Sequence, residues 1–400
     1  MGVAMSRQDY SSGQPTKIWN QVFISVFIAN MVMYLGQQMT QALIAKYADH
    51  LGAPASIVGL VVSTSAVTGL IFKLFSGSVI DTFNRKYILM GALLVMAMAF
   101  FGYSISRTIP MLILFRLLQG VALAFTATTC LTLAADALPM NKLGAGIGYF
   151  SLAQAASQAI GPTVALTLEK TFGYAVAFAI SGGIILCAIF AVSRIILQYR
   201  SEKKFRISLD SVFAKEATTF TVLMFFLALA YSVINSFLIV YAGKLMVENI
   251  GYFFTVYAVT LLFTRPLIGR MSDKIGHVKT LFPAMLCFTS AFIMISCSSS
   301  LPLFLISAFV SAFGYGACQP AIQALAMKCV PKERRGAASS MNFIGTGLGN
   351  LVGPALAGAL AERLGYQMMW RSMSVPIIVG MVFLFVNRKQ VTKVSLRGRA

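Results

Sequence analysis

The stretch Gly77-Ser-Val-Ile-Asp81-Thr-Phe-Asn-Arg85-Lys86 is a short polar loop between two long apolar runs, and the chain contains it twice. From Gly269, 192 positions on, it reads Gly-Arg-Met-Ser-Asp273-Lys-Ile-Gly-His277-Val-Lys279. The same offset carries Gly59 onto Gly251, Pro110 onto Pro302, Pro139 onto Pro331 and Gly144 onto Gly336. It also carries Gly161-Pro162 onto Gly353-Pro354 and Gly173-Tyr174 onto Gly365-Tyr366. Turn and breaker residues do not keep one register over so long a stretch by chance, so the chain is an internal duplication.

The residues around the two loops set the solvent. With 58% hydrophobic and 11% charged residues and a mean hydropathy of +0.79, the chain has too little polar surface to be water-soluble. Apolar runs long enough to cross a bilayer, about 20 residues each, fall at 18–46, 56–80, 86–106, 110–135, 142–168, 172–196, 217–245, 249–272, 279–298, 301–327, 336–362 and 367–387. The alternating pattern of a membrane barrel is absent, and only helices otherwise satisfy the backbone at that depth. The expected fold is all-α, with twelve transmembrane helices in two six-helix halves. The expected boundaries are a tail at 1–16, a first half at 17–196, a linker at 197–216, a second half at 217–387 and a basic tail at 388–400.

A net charge of +20 would suggest nucleic acid for a soluble protein, but the charges sit in alternate connections. Arg85 and Lys86, the run from Arg200 to Lys215, Arg270 to Lys279, Lys328 to Arg335, and Arg388 to Arg399 share one side. The other holds little beyond Lys46, Arg107, Lys170, Lys244 and Arg363. The positive-inside rule then makes both termini and both copies of the loop cytoplasmic. The six cysteines have no paired spacing and read as packing residues. Trp19 and Trp370 sit at span ends, where interface anchors occur.

Polar residues inside the spans mark the candidate cavity, because they are costly unless they face protein or water. On span 1, Asn30, Tyr34, Gln37, Gln38 and Gln41 form one stripe at helical spacing, readable as interhelical glue or as cavity lining. Gln154 and Gln158 on span 5, Tyr231 and Asn235 on span 7, Tyr257 on span 8, Tyr315 and Gln319 on span 10, and Asn342 and Thr346 on span 11 could line the same space. Arg116 and Gln119 lie in span 4. Arg116 is either satisfied by backbone carbonyls or is a cavity cation. Lys73 and its repeat mate Arg265 are near enough to the surface to snorkel.

Gly77, Asp81 and Arg85 resemble the G-x-x-x-D-x-x-x-R core of the loop between the second and third helices of major facilitator superfamily transporters. Asn84 stands where that family usually has Gly; the second copy, with Gly269 and Asp273, keeps Gly276 but has His277 for Arg. Arg116-Leu-Leu-Gln119-Gly120 resembles the R-x-x-Q-G motif of the same family. Gly148, Ser157, Gly161 and Pro162 partly match its antiporter motif, which span 11 repeats as Gly349, Gly353, Pro354 and Gly358. The resemblance implies two halves that rock about a midplane site. It also implies that Asp81, Arg85 and Asp136 form a charged clasp at the loop; Lys328 stands opposite Asp136 in the repeat, so the second clasp must differ.

Nothing in the sequence suggests catalysis: there is no Walker sequence, nucleophile elbow, HExxH or C-x-x-C. The function expected from the resemblance is export of small amphipathic drugs or metabolites in exchange for protons. The alternatives are an uptake symporter for an organic anion or sugar-like solute, and a non-transporting sensor or lipid flippase. The expected partners are a small-molecule substrate, protons and the bilayer, with the chain acting as a monomer; no nucleic acid, cofactor or metal is expected. All twelve acids lie in loops, tails or near span ends. Asp136 is the one expected to lie deepest, and so to carry the proton.

Overall fold

The computed structural model describes residues 19–138, 143–194, 214–331 and 334–396. The N-terminal tail and the linker up to residue 213 lie outside the described residues. The first five helices are α1 (Gln21–His50), α2 (Ala55–Thr82), α3 (Arg85–Ile105), α4 (Ile109–Asp136) and α5 (Leu143–Ser193). After a short 3-10 turn, Lys215–Ala217, come α6 (Thr218–Lys244), α7 (Tyr252–Ile275), α8 (His277–Cys297), α9 (Leu301–Lys328), α10 (Arg335–Ser372), α11 (Val375–Val386) and α12 (Arg388–Leu396).

These helices make twelve crossings because two of them fold back. At 51 residues, α5 would be about 77 Å long if straight, more than twice the hydrocarbon core of about 30 Å. It turns at Gly173, where φ is 82° and ψ 170°. In α10 the turn is at Gly365, with φ 78° and ψ 161°. This is a conformation that glycine adopts without a Cβ clash. The two turns are repeat mates, so α5 supplies spans 5 and 6, while α10 and α11 supply spans 11 and 12.

Hydrogen bonds and ion pairs identify the two ends of the bundle. At the end carrying the repeated loop, here the basic end, Asn20 caps α1 by accepting from the Phe23 N–H at 2.9 Å and donates to the Ala137 carbonyl at 2.5 Å. Lys86 donates there to the Ser193 carbonyl at 2.8 Å. At the far end, Lys46 pairs with Glu169 at 2.5 Å and Lys244 with Asp49 at 3.2 Å.

Within the first half, α1 packs on α5 and α2 on α4; within the second, α6 packs on α10 and α7 on α9. Between the halves, α2 meets α10 and α5 meets α7. Under the repeat these two contacts are the same contact seen from opposite halves, which is the arrangement expected of a two-fold axis running through the bundle.

Four local expectations need correction. The repeated stretch is largely helical rather than a loop: α2 runs through Thr82 and α3 starts at Arg85, and in the second copy only Gly276 separates α7 from α8. The basic tail is partly the helix α12, whose Val391 and Val394 are buried. Trp370 is not an interface anchor, since it is fully buried against Tyr241 and Phe292. The Lys73 ammonium does not snorkel; it donates to the Thr128 hydroxyl and lies 5.0 Å from the Phe343 ring centroid.

Candidate substrate site between the halves

The amide of Gln158 on α5 donates to the Tyr231 hydroxyl on α6 at 2.5 Å, joining the two halves through polar side chains within the spans. Tyr231 stacks on Tyr315 of α9 with centroids 3.9 Å apart and planes 5° from parallel. On another side it stands 5.7 Å from Tyr257 of α7. The second half thus presents three phenol rings from three helices, and the first half meets them with an amide. Such a surface offers stacking faces and neutral donors and acceptors, with no ionic group among these four side chains. Tyr315 was visible in the sequence only as one polar position among many; its stacking partner lies on another helix.

Immediately toward the far end the halves close. A Cβ on Gly59 of α2 would lie 2.2 Å from the Pro354 carbonyl oxygen and 3.3 Å from Ala355 Cα on α10. A Cβ on its repeat mate Gly251 would lie 2.9 Å from Thr163 Cα on α5. Thr163 and Ala355 are themselves repeat mates, so the closure is built twice from the same parts. The Thr255 hydroxyl reinforces one copy by donating to the Ala159 carbonyl at 2.6 Å. In the other, the Ser56 N–H donates to Glu362 at 3.1 Å. Gly59 and Gly251 were legible only as markers of the duplication.

Gly161 and Gly353 are crossing points within each half. A Cβ on Gly161 would meet Gln38 Cβ on α1 at 2.7 Å, and one on Gly353 would meet the Leu229 carbonyl oxygen on α6 at 2.3 Å. Pro162 follows Gly161 as Pro354 follows Gly353, and the Pro354 carbonyl forms the Gly59 contact. Part of the span 1 stripe therefore serves packing: Gln38 sits at the α1–α5 crossing and Asn30 is fully buried. Tyr34, Gln37 and Gln41 are half-buried, as are Gln154, Asn235, Gln319 and Thr346. Asn342 is buried with its side-chain oxygen unbonded among the described residues, and its backbone carbonyl accepts from Thr346 at 3.0 Å.

Arg116 is 1% exposed and fully engaged by protein. Its Nε donates to the Val61 carbonyl at 3.2 Å, one terminal nitrogen to the Val62 carbonyl, and the other to Gln119 at 2.8 Å. Gln119 in turn accepts from the Tyr103 hydroxyl at 2.7 Å. In this conformation Arg116 and Gln119 tie α4 to α2 and α3 and stand apart from the Tyr231 cluster. The buried guanidinium is balanced by carbonyl and amide oxygens, which is what such a depth demands.

At the basic end Arg85 pairs with Asp136 and also donates to the Ile80 carbonyl at 3.3 Å. The side chains of Asp81 and Asp273 and the surroundings of Gly269 lie outside the described residues. A Cβ on Gly77 would meet nothing within 4 Å, so this glycine does not mark a close helix approach here. Asp136 is not a deeply desolvated acid, because its side chain is 50% exposed. Among the ion pairs of the described residues the most sheltered carboxylate is Glu169 at the far end, 14% exposed beside Lys46.

The family model described as Major Facilitator Superfamily matches residues 26–246 and 220–400. The chain belongs to the major facilitator superfamily. It is 26% identical to the multi-drug resistance efflux pump PmrA of Streptococcus pneumoniae, over 87% of this chain and 91% of that protein. It is 22% identical to the staphylopine export protein of Staphylococcus aureus, over 92% and 96% of the two. Among solved structures, a peptide transporter POT superposes with a TM-score of 0.81 at 12% identity, over 98% of this chain and 99% of that one. The nucleoside transporter NupG, in a mutant form, gives 0.78 at 14%, over 91% and 99%. This chain is therefore a multi-pass membrane transporter of that superfamily.

Proposed function

We propose that the chain exports small amphipathic molecules, drugs or metabolites, by alternating access in exchange for protons, with both termini and the basic end in the cytoplasm. The observation that carries the transport cycle is the closure built twice at the far end, directly beside the Tyr231 cluster. A contact between a glycine and the chain it lies against, backbone at Gly59 and Thr163 at Gly251, is either fully closed or broken, which suits a two-state gate. Relatives named as a multidrug efflux pump and an export protein support the outward direction. The tyrosine faces support an aromatic or cationic amphipathic substrate, since phenol rings stack on aromatics and attract cations. The uptake alternative drew on Arg116 as a cavity cation and on the many amides; each guanidinium nitrogen of Arg116 donates to a protein oxygen, which removes the first of these supports.

Proton exchange requires a group that alternates in protonation, and Asp136 and Glu169 are the candidates: the first pairs at the basic end, the second at the far end. The deciding experiment is flux in proteoliposomes containing the full chain, with a panel of aromatic cations and an imposed pH gradient. Substrate movement against an inward proton gradient, accompanied by proton release, supports the proposal. Flux unaffected by the gradient leaves a uniporter, and no flux across the panel overturns export.

A further inference from the structure

Between α7, α9 and the start of α8, near the basic end, lies a cavity of about 200 Å³ lined by Arg265, Ser272, His277, Pro320 and Lys328. At the matching place in the first half the polar groups are paired with one another. There Lys73 donates to Thr128, and Asp136 pairs with Arg85. Moving 192 positions along, Lys73 becomes Arg265, Thr128 becomes Pro320, Arg85 becomes His277 and Asp136 becomes Lys328. Each cation is kept or replaced by a basic residue, while the hydroxyl acceptor and the clasp acid are both gone. The loop aspartates Asp81 and Asp273 are repeat mates, so the two sequences do not differ there.

We propose that this cavity binds a phosphate-type anion, either free or as the headgroup of an anionic lipid. Neither Arg265 nor Lys328 has an ion-pair or hydrogen-bond partner among the described residues. The Ser272 hydroxyl is 3% exposed and its oxygen has no hydrogen-bond partner there, although it lines the same space. A guanidinium, an ammonium and a hydroxyl around one cavity form the donor set that tetrahedral oxyanions use, and a buried hydroxyl left unbonded costs free energy that such a ligand recovers. His277 is held in place by Ser395 of α12, 2.7 Å from its Nδ1, so the helix that ends the described chain braces the wall. Pro320 cannot replace Thr128 as an acceptor, and this leaves Arg265 available to the ligand.

The test uses the full chain in nanodiscs and reads the thermal unfolding midpoint in two arms. One titrates inorganic phosphate against chloride at matched ionic strength in phosphatidylcholine discs. The other compares phosphatidylglycerol with phosphatidylcholine discs without phosphate. Wild type should be stabilised in at least one arm: the phosphate arm assigns a soluble anion, and the lipid arm a headgroup. In the responding arm, Ser272→Ala and the pair Arg265→Gln/Lys328→Gln should weaken the response. Loss of even one charge-assisted contact corresponds to about tenfold in apparent affinity. The charge-matched control Lys274→Gln/Lys389→Gln should respond as wild type. If the double variant fails to fold, Arg265→Lys/Lys328→Arg, which keeps both charges and should keep the response, and Lys328→Asp, which should lose it, make the same comparison. No stabilisation of wild type in either arm, or an equal response in the pocket variants and the control, overturns the proposal.

Discussion

The two halves share a backbone plan and differ in where they keep their polar groups. The first half holds a buried knot of Arg116, Gln119 and Tyr103; the repeat mates are Ala308, Ser311 and Ile295, with Ala308 and Ile295 fully buried. The second half instead places its polar atoms on the tyrosine cluster at the interface and around the cavity at Arg265. The reversing turns at Gly173 and Gly365 and the closing glycines are retained in both copies. A duplicated transporter must keep the parts that make two halves rock alike, because the gate works only if both copies close. The side chains that recognise a solute need occur in one half only, so they are free to diverge.

The sharpest way to break this comparison is to fill the closure. Gly59→Val places a side chain where the Pro354 carbonyl lies 2.2 Å from the Cβ position. Transport should fall to background in a protein that still inserts. Gly251→Val should reduce it less, because the nearest atoms, at 2.9 Å, include the end of the Thr163 side chain. Flux per folded molecule checks both, and equal, unimpaired flux would show that the closure is not part of the cycle. Next in size is Arg116→Ala. It leaves the Val61, Val62 and Gln119 oxygens without their donor and opens a cavity, and should cost about 3 kcal/mol of stability. Substrate affinity in the protein that folds should stay within a few-fold of wild type. A thiol at position 116, in a background otherwise lacking cysteine, should resist labelling from either side; ready labelling would return Arg116 to the cavity.

At the tyrosine cluster, Tyr231→Ala should weaken binding of an aromatic cation by about tenfold, the size of a lost stacking partner plus a hydrogen bond. Gln158→Leu should weaken it only a few-fold, since the rings remain. Equilibrium binding of a fluorescent aromatic cation separates the two. If Gln158→Leu proves the more damaging, the half with the amide carries recognition and the comparison between halves reverses.

Much of this was legible in the sequence because it is carried by period and composition. The twelve crossings follow from apolar run length, and the two-fold relation follows from the register of Gly, Pro and Asp. What escaped depends on which faces meet. Nothing in the spacing of Gly59 and Gly251 says that they touch α10 and α5 backbone, and Tyr315 gains meaning only against Tyr231. Arg116 could be read as either tie or cavity cation because both satisfy the same cost of burial. Depth was misjudged for Asp136, since an acid next to an apolar run can still project into water at a helix end.

The smallest expected effect concerns the position where the repeated motif itself departs. Gly276 separates α7 from α8 with φ 94° and ψ 149°, a region essentially reserved for glycine. Asn84, its repeat mate, has φ −63° and ψ 112° and caps α3 instead, its side chain accepting from the Lys86 N–H at 3.0 Å. The two halves thus start their third helices by different means, one by a side-chain cap and one by a backbone turn open to glycine. Asn84→Gly removes the cap, but glycine is itself tolerated at that position, so the loss should be a few tenths of a kcal/mol. Gly276→Asn gains a capping oxygen only by forcing a side chain into the disfavoured region, at about 1–3 kcal/mol. Unfolding midpoints of the two single variants, measured side by side, should therefore be unequal, with Gly276→Asn the lower. If Asn84→Gly were the more damaging, the turn at Asn84 would depend on its cap far more than a helix start usually does, and the repeated motif would be held more tightly in the first half than in the second.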